Sequence, residues 1–243
     1  MKIYDLFCYN GEADILEIRL NILDPYVDFS VLGESEQTFS KRRKSLYYAE
    51  QKERFAKWKD KIIYVKIPNF LARDSFHMAS LQKDYLRTAL KDCQPDDIIY
   101  YGDCDEIWTP QKEEGKLRQL NYSYYLNNRS SEDWQGTNMV KYGNIKDLNE
   151  LRADHSIVLE NGGWHFTNMG GADEIRRKLD NYDHQEMNTE ENRRLIEQRM
   201  ENGEDYAGRN VDWQGKPFMF WTSEVDLPQY LLYNKDKYKH LWK

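Results

Sequence analysis

Long apolar runs are missing from this 243-residue chain. No stretch approaches the roughly 18 uncharged apolar residues that a membrane-spanning helix needs. Cysteine is scarce: Cys8, Cys93 and Cys104 form neither a CxxC pair nor any zinc-type spacing. No apolar leader is expected either, because the sequence opens with the strand-like run Met-Lys-Ile-Tyr-Asp-Leu-Phe-Cys-Tyr. An odd cysteine count without a leader reads as reduced thiols in a cytoplasmic protein. Positive charge is in deficit, with 35 Lys+Arg against 42 Asp+Glu and a net charge of -7. An acidic chain repels a phosphate backbone, which argues against nucleic acid as a broad partner. Repeats, low-complexity tracts and linkers are lacking as well, so one domain over 1–243 is expected.

Aromatic side chains are abundant. They make up 14% of the residues, with 18 Tyr and 7 Trp, although mean hydropathy is only -0.93. Disordered chains are poor in such residues, so a folded globular protein is expected. Its length is ample for a buried core.

Ile3 to Tyr9 reads as a strand stopped by Asn10-Gly11. A helix follows from Glu12 to the Asp24-Pro25 stop, then strands at Val27–Gly33 and Ile62–Ile67. Asp74 to Leu90 reads as a helix burying Phe76, Leu81, Tyr85, Leu86 and Ala89, and Ile98–Tyr101 as a short strand. That alternation predicts an α/β layer of mostly parallel strands. The second half is less regular, with strands expected at Tyr122–Leu126, Asn138–Tyr142 and Trp164–Phe166. Helices are expected there at Glu174–Tyr182 and Thr189–Asn202. The plan is a nucleotide-type half, 1–110, and a substrate half, 111–243.

The sharpest feature is Gly102-Asp103-Cys104-Asp105-Glu106, directly after the Ile98–Tyr101 strand. Open α/β sheets collect ligands just past the carboxyl ends of their strands. Three carboxylates placed together there call for a cation, and Mg²⁺ or Mn²⁺ bridges such groups to substrate phosphates. Two enzyme classes use this arrangement: a nucleotide-sugar transferase, and a phosphohydrolase with Asp103 as nucleophile. The phosphohydrolase pattern places Asp-x-Asp on the first strand and continues it with Thr or Val. Here Ile107 stands at that position and three strands come earlier. A module that binds carbohydrate or nucleotide without turnover is the non-enzymatic alternative.

Ordered motifs along the whole chain resemble glycosyltransferase family 17, the β-1,4-mannosyl-glycoprotein β-1,4-N-acetylglucosaminyltransferases that add a bisecting GlcNAc. The opening Ile3-Tyr4-Asp5-Leu6-Phe7-Cys8-Tyr9-Asn10-Gly11-Glu12 carries the resemblance, followed by Leu16-Glu17-Ile18-Arg19-Leu20. Val27 to Ser35, Thr38-Phe39-Ser40 and Gln82-Lys83-Asp84-Tyr85-Leu86 continue it, with Lys83 where the family usually has Arg. Asp97 to Ile107 is similar to the family's metal motif, although Trp108-Thr109 intervenes before Pro110. Gly162-Gly163-Trp164-His165-Phe166, Gly170-Gly171, Lys178-Leu179, His184-Gln185-Glu186 and Leu227-Pro228 with Asn234 complete it.

The resemblance implies a GT-A type fold, with a Rossmann-like nucleotide-binding half and a C-terminal acceptor half. It also implies a UDP-sugar donor (UDP-GlcNAc in characterised relatives), Mn²⁺ or Mg²⁺, and inversion at the anomeric carbon. Asp103 and Asp105 are then the expected metal ligands, with His184 or His165 completing the shell. Glu106 orients that shell or a donor hydroxyl, or caps the next element of the chain. Inversion needs a carboxylate to accept the acceptor's proton, and Asp173, Glu174 and Glu186 are the candidates. Asn10, Glu12 and Glu34 are expected at the base and ribose, and Lys83 or Arg87 at phosphate. The run Lys41-Arg42-Arg43-Lys44 is a candidate closing loop. Trp134 and Trp164 are the expected acceptor platforms, with Trp58 and Trp221 as alternatives in the core. With no membrane anchor in the sequence, the expected acceptor shifts from an N-glycan core to another surface glycan or a lipid-linked saccharide.

Overall fold

The computed structural model describes residues 1–212 and 214–243. The N-terminal elements are β1 (Ile3–Cys8), α1 (Ala13–Leu23), β2 (Phe29–Ser35) and α2 (Tyr47–Gln51). After α2 the chain tightens into a 3-10 turn ending at Trp58. Next come β3 (Ile62–Ile67), α3 (Ser75–Asp84) and β4 (Ile98–Tyr101). These four strands are all parallel, in the order β3-β2-β1-β4, with Leu6 beside Val31 on one side and Tyr101 on the other. Their carboxyl ends therefore share one edge of the sheet.

The later elements are β5 (Glu106–Trp108), β6 (Gly115–Ser123), β7 (Asn128–Ser130), β8 (Trp134–Lys141) and α4 (Leu148–Ala153). They continue with β9 (Val158–Leu159), β10 (Gly163–Thr167), α5 (Ala172–Asn181), α6 (Glu190–Asn202), β11 (Phe220–Thr222) and α7 (Gln229–Tyr233). β8 joins β4 antiparallel, β6 joins β8 antiparallel, and β10 lies parallel to β6. One mixed sheet thus crosses both halves of the chain. Two successive reversals return β6 and β10 to the direction of β4, so their carboxyl ends meet the same edge.

Two sequence expectations shift. The strand foreseen at Tyr122–Leu126 is β6, which starts at Gly115 and ends at Ser123. Its buried Lys116, Gln119, Asn121 and Ser123 hide it from an apolar pattern. The helix foreseen over Asp74–Leu90 is α-helical only to Asp84 and then narrows to a 3-10 turn. Asp74 caps it by accepting from the His77 amide at 2.7 Å. Phe76 is half exposed and Leu81 only partly buried, while Met78, Ala79, Gln82 and Leu86 face the sheet. Gly33 permits this packing, because a β-carbon there would stand 2.3 Å from Leu86 Cδ2.

The sheet carries apolar layers on both faces. One layer joins Ile15 and Ile18 of α1 to Tyr100, Trp108, Phe166 and Leu231, and the other joins Leu6, Val31, Ile99 and Tyr101 to Leu86 and Leu148. Inside the first layer lies an ion pair with no solvent exposure. Arg19 donates to both Asp5 oxygens, Nε at 2.8 Å and Nη2 at 2.6 Å. Trp108 Nε1 donates to Asp5 Oδ1 at 2.8 Å. Arg19 Nη1 reaches further, to the carbonyl oxygens of Asp103 (3.0 Å), Cys104 (3.2 Å) and Glu106 (2.7 Å).

Removing one partner of a buried ion pair strands the other without compensation, at about 3–5 kcal/mol. Arg19→Met is expected to lower the unfolding free energy by that amount in urea denaturation. A loss under about 1 kcal/mol, within the range of exposed pairs, would refute this role.

Candidate functional site

At the shared edge lies a cleft of about 840 Å³. Tyr9 and Asn10 follow β1, and Asp103 to Asp105 follow β4; Asn121, Trp134, His165 and Thr167 come from β6, β8 and β10. Arg152 of α4 and Lys178 of α5 complete the wall around the acidic turn.

The turn is built from below. Arg19 grips its carbonyls, and the Phe166 amide donates to the Asp105 carbonyl at 2.8 Å. Glu106 has no solvent exposure and accepts five hydrogen bonds. They come from the Asp103 amide (3.0 Å), Trp134 Nε1 (2.7 Å), Thr137 Oγ1 (2.9 Å) and both terminal nitrogens of Arg152 (2.9 and 2.7 Å). Glu106 therefore shapes the turn and fixes Arg152 from outside the cleft. Gly136 makes room for it, since a β-carbon there would lie 2.0 Å from Glu106 Oε1.

Asp103 and Asp105 do face the cleft. The side chain of Asp103 is 33% exposed and pairs with Lys83 Nζ at 2.7 Å and Arg152 Nη2 at 2.6 Å. Burial pushes its carboxyl up, but Arg152 and Lys83 outweigh that and hold it below the usual carboxylate range. Asp105 lies 3.5 Å from His165 Nε2 and 3.8 Å from Lys178 Nζ. Burial again opposes ionisation, and His165 and Lys178 overcome it, so Asp105 too is held well below that range.

His165 stacks on the Trp134 indole with ring centroids 4.7 Å apart. Its Nδ1 is buried without a partner among the described residues, as are Asn121 Oδ1 and Asn168 Oδ1 in the same wall. Lys116, buried nearby, has its ammonium pushed down to about 8 by burial and by Arg152.

Not every residue singled out in the sequence joins this cleft. Asn10, Glu12, Lys83, His165, His184 and Trp134 line it with the acidic pair. Glu34 is buried beneath, accepting from the Tyr48 amide (3.2 Å) and Tyr64 Oη (3.3 Å) and pairing with Lys44 (3.5 Å). Arg87 points outward to Asp84 at 3.7 Å. Asp173, 97% exposed, pairs with Arg176 at 2.8 Å, and Glu174 pairs with Arg177 at 2.7 Å. Both belong to the first turn of α5, and neither reaches the cleft wall. Glu186 sits outside the wall, hydrogen-bonded to His184 Nδ1 at 2.6 Å. Trp164 packs against the core and donates to the Asp226 carbonyl at 2.5 Å instead of facing the cleft. Trp58 is core, and Trp221 is 45% exposed.

The basic run is already docked. Ser40 donates from its amide to the Asn181 carbonyl (3.2 Å) and from Oγ to the Asp180 carbonyl (2.5 Å). Arg42 pairs with Asp180 at 2.8 Å.

Among the described residues, no set of three or more His, Cys, Asp or Glu side chains is disposed to hold a metal ion. His165 stands beside Asp105 and His184 elsewhere on the cleft wall, and neither forms a set of three with Asp103 and Asp105. Two ionised carboxylates open to a cleft do fit a hard cation that takes its other ligands from substrate phosphates and water. Arg152 was invisible in the sequence, lying 49 positions from Asp103 with no local motif. Lys178 did carry a signal, as part of the Lys178-Leu179 motif that resembles the family.

Folded-state values below the ordinary carboxylate range mean that the unfolded chain takes up protons first as pH falls. The stability contributed by this turn is full above about pH 5 and is lost progressively below about pH 4. Asp105→Asn is expected to flatten the fall of unfolding free energy measured between those conditions and about pH 2. An unchanged slope would contradict the charge balance described here.

No curated protein and no solved structure matches the chain. The family model Glycosyltransferase family 17 matches residues 1–243, its whole length. That match sets aside both the phosphohydrolase and the module without turnover. With the acidic turn, its cations and the cleft above them in view, the chain belongs to glycosyltransferase family 17 and is a glycosyltransferase.

Proposed function

We propose that this glycosyltransferase is a metal-dependent, inverting enzyme that moves GlcNAc from UDP-GlcNAc onto a hydroxyl of a glycan or lipid-linked saccharide. The observation that carries this reading is the pair Asp103 and Asp105, ionised at the end of β4 and open to a cleft lined by cations. Mn²⁺ or Mg²⁺ held there supplies Lewis-acid charge that makes the nucleoside diphosphate a better leaving group. Asn10 and Glu12, beside the end of β1, are assigned to the nucleoside.

The sugar is assigned to the far wall. Trp134 offers an aromatic surface, and the hydroxyls of a sugar, which both donate and accept, can partner His165 Nδ1, Asn121 Oδ1 and Asn168 Oδ1, which have none among the described residues. The proton of the acceptor hydroxyl needs a carboxylate within reach of the cleft. Besides Glu12 and the metal pair, the acidic residues in its wall are Glu132 and Asp183. These two replace Asp173, Glu174 and Glu186 as the groups to compare. Among the described residues, no helix is long and apolar enough to cross a membrane.

Incubation with UDP-GlcNAc, Mn²⁺ and a panel of saccharide acceptors tests the reading by following UDP release. Release is expected to need the metal and to fall by roughly 100-fold or more in Asp105→Ala, the scale of a lost electrostatic stabiliser. Full activity in EDTA, or an Asp105→Ala enzyme that turns over normally, would overturn it. Glu132→Gln and Asp183→Asn tested beside Glu174→Gln identify the base by which one abolishes transfer while leaving UDP affinity intact.

A further inference from the structure

The acidic turn is already neutralised. Asp103, Asp105 and Glu106 contribute three negative charges. Lys83, Arg152 and Lys178 meet them with three positive charges at 2.6–3.8 Å, and His165 stands beside Asp105. A divalent cation arriving alone finds the Asp103 oxygens taken by Lys83 and Arg152, with a third ammonium near Asp105. Its attraction to the carboxylates is set against repulsion from those cations at similar range. A diphosphate arriving alone finds cations whose charge is already spent on carboxylates. Arriving together, the cation can take Asp103 and Asp105 while Lys83, Lys178 and the Arg152 nitrogen that meets Asp103 turn to phosphate oxygens. Arg152 stays on buried Glu106, so no charge is left buried without a partner.

The side chains allow this exchange. Those of Arg152, Lys178 and Asp103 are 21%, 33% and 33% exposed, all on the cleft wall. Lys178 also donates to Thr167 Oγ1 at 2.7 Å, which keeps its ammonium at the wall. Arg152 is anchored through Glu106, and a planar guanidinium suits a phosphate's paired oxygens.

We propose that Arg152 and Lys178, together with Lys83, are the diphosphate-binding groups of this site, and that it takes up the divalent cation only in company with the diphosphate. The inference rests on the nucleotide-sugar reading of the cleft and assigns its anion-binding half. Asp103, Asp105 and the three cations form one exchangeable set: each diphosphate oxygen that engages a cation frees an Asp103 or Asp105 oxygen for the metal.

Calorimetric titration tests this with inorganic pyrophosphate, UDP and Mn²⁺, each alone and combined, on the full chain. Wild type is expected to show no saturable uptake of Mn²⁺ alone below about 1 mM and clear uptake of Mn²⁺ with pyrophosphate or UDP. Lys178→Met and Arg152→Gln should each weaken pyrophosphate binding by about tenfold or more, the scale of one lost charge-assisted contact. Arg87→Gln, which points away from the cleft, should match wild type. Because Arg152→Gln also disturbs buried Glu106, the half-exposed Lys178→Met carries the test if the arginine variant fails to fold. Saturable micromolar binding of Mn²⁺ alone, or a Lys178→Met protein with wild-type pyrophosphate affinity, overturns the proposal. The two readings fail separately. Pyrophosphate binding that the variants lose, with no UDP-sugar turned over, leaves this inference standing and removes the donor assignment. Turnover of UDP-GlcNAc with diphosphate affinity unchanged in the variants does the opposite.

Discussion

The buried contact between Arg19 and Asp5 is the fixed point from which the site is built. Its guanidinium saturates a carboxylate in the middle of β1 and, with a nitrogen to spare, holds three carbonyls of the acidic turn. One charge pair therefore ties helix α1, the central strand and the loop that carries the chemistry. Such a pair gains little over apolar packing in stability. What it supplies is a rigid floor, so that Asp103 and Asp105 can be held close together without the turn springing apart. Trp108, stacked on Tyr100 at 3.6 Å and hydrogen-bonded to Asp5, closes the floor from the side.

Above that floor the electrostatics are organised in two tiers. Glu106 is wholly internal and serves as an acceptor hub, tying the turn, β8 and α4 to one carboxylate. Asp103 and Asp105 form the upper tier, ionised and within reach of ligand. Adjacent acidic residues in one short motif thus do different work according to which way the backbone turns each side chain.

How much of this the sequence carries depends on the range over which a signal acts. β1 to β4 are apolar, bounded by turn residues, and pair in parallel, so their existence and parallel pairing are legible, while their order in the sheet is not. Asp103 and Asp105 are legible because a short motif follows such a strand directly. β6 is not, because its buried polar residues, Lys116 and Asn121 on the cleft wall and Gln119 on the Ile107 carbonyl, break the apolar alternation that marks a strand. The position of Arg152 depends on α4 folding back over the cleft, a tertiary fact with no local trace. Asp173 and Glu174 mislead for a related reason. Carboxylates at a helix N-terminus satisfy the dipole and their own i,i+3 arginines, which explains them without any reactive role.

The docking of residues 38–44 onto the end of α5 ties two separate parts of the cleft wall together. Ser40 and Arg42 stitch the loop after β2 to Asp180 and Asn181, while Lys44 of the same loop lies in the cleft wall. Any motion that carries α5, and Lys178 with it, away from β2 has to break these stitches first. The wall of the cleft after β2 is thus fastened to the end of α5 by a short polar strap. The strap's main anchors are carbonyl hydrogen bonds and one half-exposed ion pair.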